Sequence, residues 1–256
     1  MRARLLVAYD GSGFHGFAPQ PEVPTVAGAL REALEKVLGV PVELTCAGRT
    51  DTGVHAWGQV VSFDAPAERF DPPSVQRSLN RICGPSIVVR DAAVVADDFD
   101  ARHSATGRTY RYTIVNRPVP DPFMAHLAWH VDTRLDLDLL RLACDPLIGE
   151  HDFSAFCRKP KRRDGQPASM TRTVRAASWT DLGEGVLRFE VTANAFCHQM
   201  VRSLVGTLVD VGTGRLHAGQ ILGILAGGSR DAAGPLAPPQ GLCLWHVEYP
   251  PEAKLR

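Results

Sequence analysis

The sequence has no long apolar run, since no stretch approaches the roughly 18 uninterrupted apolar residues that a membrane-spanning helix needs. Near the N-terminus only Leu5 to Ala8 are consecutively apolar, which is too short for the core of a secretory signal. These absences favour a cytoplasmic protein without a membrane partner.

Paired cysteine motifs are missing as well. The six cysteines are scattered and no two form a C-x-x-C pair, so a structural zinc site is not expected. Cys197-His198 has no spaced partners and is not interpreted as a metal site. Because nothing else indicates secretion, we expect reduced thiols, most of them filling the core.

Net charge is also absent, because 28 Lys and Arg balance 28 Asp and Glu. This balance excludes a histone-like polycation but not a local basic surface. The densest basic segment is 158–163, which is either a solvated loop or a contact for RNA phosphates. Its cations are Arg158, Lys159, Lys161, Arg162 and Arg163.

Apolar periodicity in the first hundred residues predicts the order β-α-β-β-α-β. One helix is expected between an N-cap at Thr25 and a stop at Gly39, and a second after Asp71, with Ile82 on its apolar face. The strands are predicted at residues 5–9, 42–47, 58–64 and 87–95.

The second half repeats this order from residue 127 onward, with an added helix. Helices are predicted at 137–147, with Leu139 facing inward, and at 199–211 and 217–225. Strands are predicted at 110–115, 127–131, 173–179, 186–193 and 242–247. The sequence thus predicts an α/β (α+β) chain of two ferredoxin-like halves, 1–103 and 104–256, joined into one mostly antiparallel sheet with a central catalytic cleft.

The segment 47–55, here called the 47–55 loop, is the densest in polar chemistry. Two glycines bracket Arg49, Thr50, Asp51 and Thr52, which is typical of a tight turn that presents polar side chains. One interpretation is a hairpin in which Asp51 bonds to its own backbone. The D-T-G at Asp51 also matches aspartic proteases, but these need two such carboxylates, and Arg49 would keep Asp51 ionised.

The 47–55 loop, followed by Gly58-Gln59-Val60, resembles the central motif of the tRNA pseudouridine synthase A family. Further ordered blocks between Leu5 and Pro250 are similar to that family, although Ala18 stands where the family usually has a glutamine. These blocks are Tyr9-Asp10-Gly11-Ser12, Phe99-Asp100-Ala101-Arg102 with Arg108-Thr109-Tyr110, Asn194-Ala195-Phe196 with Met200-Val201-Arg202, and Gly241-Leu242-Cys243-Leu244.

The resemblance implies a homodimeric enzyme, without metal or cofactor, that converts uridine to pseudouridine in the anticodon arm of tRNA, around positions 38 to 40, on a flipped base. It implies that Asp51 is the nucleophile and that Arg202 pairs with its carboxylate. It also implies that Tyr110 packs on the target base and that Arg49 helps to hold the flipped nucleotide.

The residues themselves suit these roles. A single carboxylate can attack the sugar at C1′ or the base at C6, and the sequence leaves both open. Side chains alternate along the strand from Tyr110, so Arg108, Tyr110 and Tyr112 are expected to share one face. Without the motif, these tyrosines would be core residues and Arg202 a surface arginine.

The main alternative is a non-catalytic RNA-binding module built on ferredoxin-like halves. Such a module would not need Asp51, and it should carry an aromatic run of the RNP1 type. The sequence contains no such run.

Overall fold

The computed structural model describes residues 1–158 and 169–251, which divide into two compact units. One unit is Met1–Gly107 together with the segment that starts at Cys243, and the other is Arg108–Leu242. Within the described residues, no helix is long and apolar enough to cross a membrane. The domain bounds 1–103 and 104–256 and the central cleft stay predictions.

The first unit has the predicted order β-α-β-β-α-β. Strand β1 lies between β3 and β4 and is antiparallel to both, and β2 is antiparallel to β3. This is the strand arrangement of a ferredoxin-like unit. Its elements are β1 (Arg2–Tyr9), α1 (Val26–Leu38), β2 (Thr45–Cys46), β3 (His55–Asp64), α2 (Pro72–Cys83) and β4 (Ile87–Val94).

Both helices of this unit begin where the capping residues predict. The side chain of Thr25 accepts a hydrogen bond from the Gly28 amide, and α1 ends at Gly39, whose φ is 68°. Asp71 caps α2 in the same way. The inward placement of Ile82 was wrong, since it is 48% exposed. Periodicity indicates which residues share a face of a helix. It does not show how far the protein core extends beneath that face.

Strand β2 is shorter than predicted. Residues 42–47 have a strand-like pattern, yet only Thr45 and Cys46 pair with β3. Val42 is buried, but its amide donates to Oε1 of Glu35 on α1, at 3.2 Å, rather than to a neighbouring strand. A buried apolar residue can therefore look like part of a strand without belonging to its ladder.

The last strand, β10 (Leu242–Glu248), pairs with β3 of the first unit. Its register is parallel, with Cys243 opposite His55 and Leu244 opposite Ala56. The sequence pattern placed this strand in the second half. Parallel pairing joins segments that are far apart in sequence, so local patterns do not reveal the partner.

The second unit is built around three antiparallel strands, with β9 between β5 and β8. Strand β7 extends the β8 edge, and β6 runs parallel to β5. With the first unit, this confirms the mixed α/β class with a mostly antiparallel sheet. The elements are β5 (Gly107–Asn116), β6 (Trp129–Val131), α3 (Leu137–Leu142), β7 (Gly149–Asp152), β8 (Thr171–Asp181), β9 (Val186–Ala193), α4 (Met200–Gly212) and α5 (Gln220–Gly227).

The helix predicted over 137–147 is split into α3 and a separate 3-10 turn at Asp145–Leu147. Pro146 explains the break, because proline has no amide proton and its ring clashes with the preceding turn of a helix. Leu139 was wrongly placed inward, since it is 37% exposed. Strand β7 was not predicted, because its sequence shows no apolar alternation.

Two of the six cysteines lie side by side. Cys157 and Cys197 have a Cα–Cα distance of 5.8 Å, which a disulfide can span. Forty residues separate the two cysteines, so no spacing motif in the sequence predicts that they are neighbours. The expectation of reduced thiols stays a prediction.

Candidate active site

The 47–55 loop connects β2 to β3 at one end of β3. The Ala47 amide donates to the Val60 carbonyl at 2.9 Å, which extends the pairing of the two strands. The chain then leaves the sheet and returns at His55, where β10 has replaced β2 as the neighbour of β3. The polar residues therefore lie at a strand end rather than within a ladder.

Residues 11–17, which follow β1, hold the backbone of the loop. The Phe17 amide donates to the Thr50 carbonyl at 3.0 Å. Gly16 has a φ of 86°, and a Cβ on it would lie 2.8 Å from the same carbonyl oxygen. A Cβ on Gly11 would lie 2.1 Å from the carbonyl oxygen of Val54. Such close approach explains why these two positions are glycine.

The positions along the loop differ in exposure. Thr50 is buried, Asp51 is half-buried, and Arg49 is exposed. The Val54 amide donates to the backbone carbonyl of Asp51 at 3.1 Å, which closes the turn after the aspartate. The candidate nucleophile thus lies where the loop passes from the protein interior to the surface.

His55, at the start of β3, connects the loop to the segment Tyr9-Asp10-Gly11-Ser12. Its Nδ1 is 3.0 Å from the Gly11 amide and 3.2 Å from Oδ1 of Asp10. One ring nitrogen cannot accept from an amide and donate to a carboxylate at once. We favour the bond from Gly11, because a buried amide without a partner is costly. His55 is then a structural acceptor.

In the second unit, β5 presents two distinct faces, as the alternation predicted. Thr109 Oγ1 lies 2.8 Å from Thr192 Oγ1, and Arg111 Nε donates to Glu190 Oε2 at 2.5 Å, both across to β9. Cross-strand partners share a face of the sheet. The side chains of the opposite face are therefore those of Arg108, Tyr110 and Tyr112.

Tyr110 is buried and packs edge-on against Phe196, with 5.0 Å between ring centroids. Arg108 Nη1 donates to the carbonyl of Asn194 at 2.9 Å. Both contacts join β5 to the turn after β9. Phe196, which lies in the block Asn194-Ala195-Phe196, was not among the predicted site residues.

Arg202, on α4, is half-buried and anchored. Its Nε donates to the Ala237 carbonyl at 2.7 Å, and the Ala237 amide donates to the Arg202 carbonyl at 3.1 Å. Tyr112 Oη donates to the carbonyl of the next residue, Pro238, at 2.8 Å. Burial raises the pKa of Tyr112 far above its usual value, although the charge of Arg202 opposes this. Arg202 is therefore not a solvated surface arginine.

The predicted site residues fall into two pairs. Arg49 and Asp51 share the 47–55 loop of the first unit, whereas Tyr110 and Arg202 belong to the second. In the basic segment, Arg158 is exposed, and the other four cations lie outside the described residues. In residues 1–158 and 169–251, no three His, Cys, Asp or Glu side chains are grouped to hold a metal ion.

Cys46, just before the loop, carries a thiol, which would be a strong nucleophile as a thiolate. Burial raises the pKa of its thiol to about 11, and the positive charges of Arg49 and Arg102 only partly oppose this. Cys46 is therefore a neutral thiol at physiological pH and a poor nucleophile. It does not compete with Asp51 as the candidate nucleophile.

We expect iodoacetamide at pH 8 to label Cys46 about 100-fold more slowly in the native protein than in urea, because a thiol with a pKa of about 11 holds about one hundredth of the thiolate of an exposed cysteine. Peptide mass spectrometry would measure both rates. Equal rates in the two states would contradict the protected thiol.

Comparison with known proteins identifies the family. The model of the family described as tRNA pseudouridine synthase matches residues 5–104 and 143–250. A protein of Syntrophotalea carbinolica called tRNA pseudouridine synthase A is 42% identical over 250 residues, which cover 97% of this chain and 96% of that protein. The chain therefore belongs to the tRNA pseudouridine synthase family.

Other curated proteins of the same name agree. That of Methylacidiphilum infernorum is 41% identical over 97% of this chain and 96% of its own length, and that of Myxococcus xanthus is 40% identical over 97% and 92%. The solved archaeal box H/ACA sRNP Nop10-Cbf5 complex has a TM-score of 0.36 and 13% identity, over 90% of this chain and 60% of that one. That similarity is too weak to establish a shared fold.

The family membership confirms the resemblance seen in the motifs. The protein is an isomerase that acts on tRNA and converts uridine to pseudouridine. The protease interpretation and the non-catalytic RNA-binding module are not supported.

Proposed function

We propose that this enzyme modifies uridines in the anticodon arm of tRNA, around positions 38 to 40, and that it does so on a base flipped out of the stack. The observation that carries the proposal is the 47–55 loop, which presents a half-buried Asp51. The backbone of this loop is held by a hydrogen bond from the segment 11–17. The choice of the anticodon arm rests on the motif blocks that resemble the synthase A family.

The reaction needs one nucleophile and a base that is detached but retained. The glycosidic bond from C1′ to N1 must break, and a bond from C1′ to C5 must form. A carboxylate can start this by attacking C1′ of the ribose or C6 of the uracil, and both routes remain open. Asp51 is our candidate for this covalent step.

Arg202 and Tyr110 are proposed to act with Asp51. The bond from Arg202 Nε to Ala237 fixes the plane of the guanidinium, and its terminal nitrogens would pair with the Asp51 carboxylate. The contact with Phe196 fixes the Tyr110 ring, which would pack on the target base. The exposed Arg49 would hold the phosphate of the flipped nucleotide.

We further propose that the enzyme is a cytoplasmic homodimer that needs no metal or other cofactor, and that the basic segment 158–163 contacts RNA phosphates. Light scattering should give twice the chain mass of 27.8 kDa.

Mapping of pseudouridine in tRNA treated with the pure enzyme tests the proposed target. We expect the modification in the anticodon arm, and replacing the uridines there with cytidine should abolish it. Modification only in another arm would overturn the choice of target without bearing on Asp51.

Arg202→Lys should lower kcat about 100-fold, or about 2.7 kcal/mol of barrier, although the positive charge is kept. Lysine cannot hold a carboxylate through two parallel bonds, and it loses the bond from Nε to Ala237. The matched control is Arg215→Lys in the same unit, where the arginine is largely exposed and pairs with Asp210. Wild-type turnover in Arg202→Lys would show that no bidentate pair matters.

A further inference from the structure

We propose that Gln59, Tyr9 and Thr50 form a buried hydrogen-bond chain that positions Asp51 for catalysis, so that these three are positioning residues for the reaction. The inference rests on the proposed role of Asp51 as nucleophile. These residues come from β1, β3 and the 47–55 loop, and no pattern in the sequence shows that their side chains meet.

The chain touches the loop on both sides of Arg49. Gln59 Nε2 donates to the Gly48 carbonyl at 2.7 Å and to Tyr9 Oη at 3.3 Å. Tyr9 Oη in turn lies 2.7 Å from Thr50 Oγ1. The buried side-chain amide of Gln59 therefore contacts Gly48 directly and Thr50 through Tyr9.

Thr50 is held at two points directly before the nucleophile. Its hydroxyl bonds to Tyr9, and its carbonyl accepts the Phe17 amide at 3.0 Å. Asp51 follows with no intervening residue, so the orientation of its backbone depends on how Thr50 is fixed. A reacting group must be held within a fraction of an ångström of its productive position.

The donor at the Gln59 end of the chain can be assigned. The Gly48 carbonyl can only accept, so the nearby Gln59 atom must be the amide nitrogen. That nitrogen also donates to Tyr9 Oη, so the Tyr9 hydroxyl proton is available for Thr50 Oγ1. Gln59 is therefore the donor at one end of the chain, and either hydroxyl can donate in the contact between Tyr9 and Thr50.

The burial of Gln59 indicates a role beyond stability. Its side chain is fully buried, and among the described residues its Oε1 accepts no hydrogen bond. A buried acceptor without a partner destabilises the fold, and an apolar residue of similar shape would avoid that loss. Buried polar groups that lower stability are expected at functional sites, where activity rather than stability determines the residue.

The test compares variants that keep or remove one polar group. Thr50→Val and Gln59→Met keep approximate shape and remove the bonds, and each should lower kcat at saturating tRNA about 10- to 100-fold with KM changed less than about threefold. Thr50→Ser keeps the hydroxyl and should retain kcat within about threefold of wild type.

A control separates positioning from stability. Asn80 on α2 also carries a side-chain amide bonded to backbone, with Nδ2 donating to the Val89 carbonyl and Oδ1 accepting from the Val89 amide. Asn80→Leu should lower the melting temperature yet leave kcat unchanged. If kcat fell equally in Asn80→Leu and Gln59→Met, the effect would be structural and the proposal overturned.

A double-mutant cycle gives the second readout. Tyr9→Phe and Thr50→Val each remove the same hydrogen bond, so the loss of kcat in the double variant should be clearly smaller than the product of the two single losses. A fully multiplicative loss would overturn the proposed chain. Should Gln59→Met fail to fold, the Thr50 variants and this cycle decide the question.

The outcome for Asp51→Asn distinguishes the two proposals. An inactive Asp51→Asn with a normal Thr50→Val would overturn the positioning chain alone. An active Asp51→Asn would overturn the nucleophile and, with it, the positioning role.

Discussion

Asp51→Asn is expected to lower pseudouridine formation more than about 1000-fold, or about 4 kcal/mol of barrier, while the protein still folds and binds tRNA. Asparagine has the shape of aspartate and can still accept hydrogen bonds, so the half-buried position should tolerate it. It is a poor nucleophile, however, and the loop carries no second acid. The covalent step should therefore fail although the loop is intact.

The rate can be followed as tritium release from tRNA labelled at C5 of uridine, since the proton on that carbon is lost on isomerisation. Asp64→Asn is a suitable control, because Asp64 ends β3, is 85% exposed and pairs only at the surface with Arg2. Its activity should match wild type. Turnover above a thousandth of the wild-type rate in Asp51→Asn would count strongly against Asp51 as nucleophile.

Gly206→Ala is expected to destabilise the protein by at least about 3 kcal/mol. Gly206 lies in the middle of α4, and a Cβ there would be 1.7 Å from the carbonyl oxygen of Pro235, which is backbone and cannot rotate away. The helix must then separate from the segment whose residue Ala237 exchanges two hydrogen bonds with Arg202. Activity should fall together with stability.

Calorimetry would measure the loss, which corresponds to a fall in melting temperature of roughly 6 to 12 °C at this chain length. The control is Gly223→Ala on α5, where, apart from the adjoining backbone of the helix, no atom of residues 1–158 or 169–251 lies within 4 Å of the added Cβ. There alanine should be neutral or should stabilise by up to about 1 kcal/mol. Equal melting temperatures for Gly206→Ala and wild type would contradict the close packing of α4.

Short-range signals in the sequence were sufficient for much of the fold. Thr25 and Asp71 begin helices and Gly39 ends one, because a cap depends on bonds to residues only a few positions away. The alternation along β5 correctly separated Tyr110 from Arg111, since successive side chains of a strand point to opposite faces.

Long-range contacts were decided only by the tertiary structure. The pairing of β10 with β3 and the close placement of Cys157 and Cys197 bring distant segments together, and no local pattern specifies the partner. How far the core extends beneath a helix is also decided by the tertiary structure. Ile82 is therefore exposed, although its spacing from Val75 and Leu79 is that of the apolar face of the helix.

The same division applies to the site. The amino-acid sequence by itself determined the polar loop, its single carboxylate and the family to which its motifs belong, because each motif is a short run of contiguous residues. Only the tertiary structure showed that Tyr9 and Gln59, fifty residues apart, meet beneath Thr50. The physical reason is that a hydrogen bond depends on distance in space, and folding, not chain order, brings those atoms together.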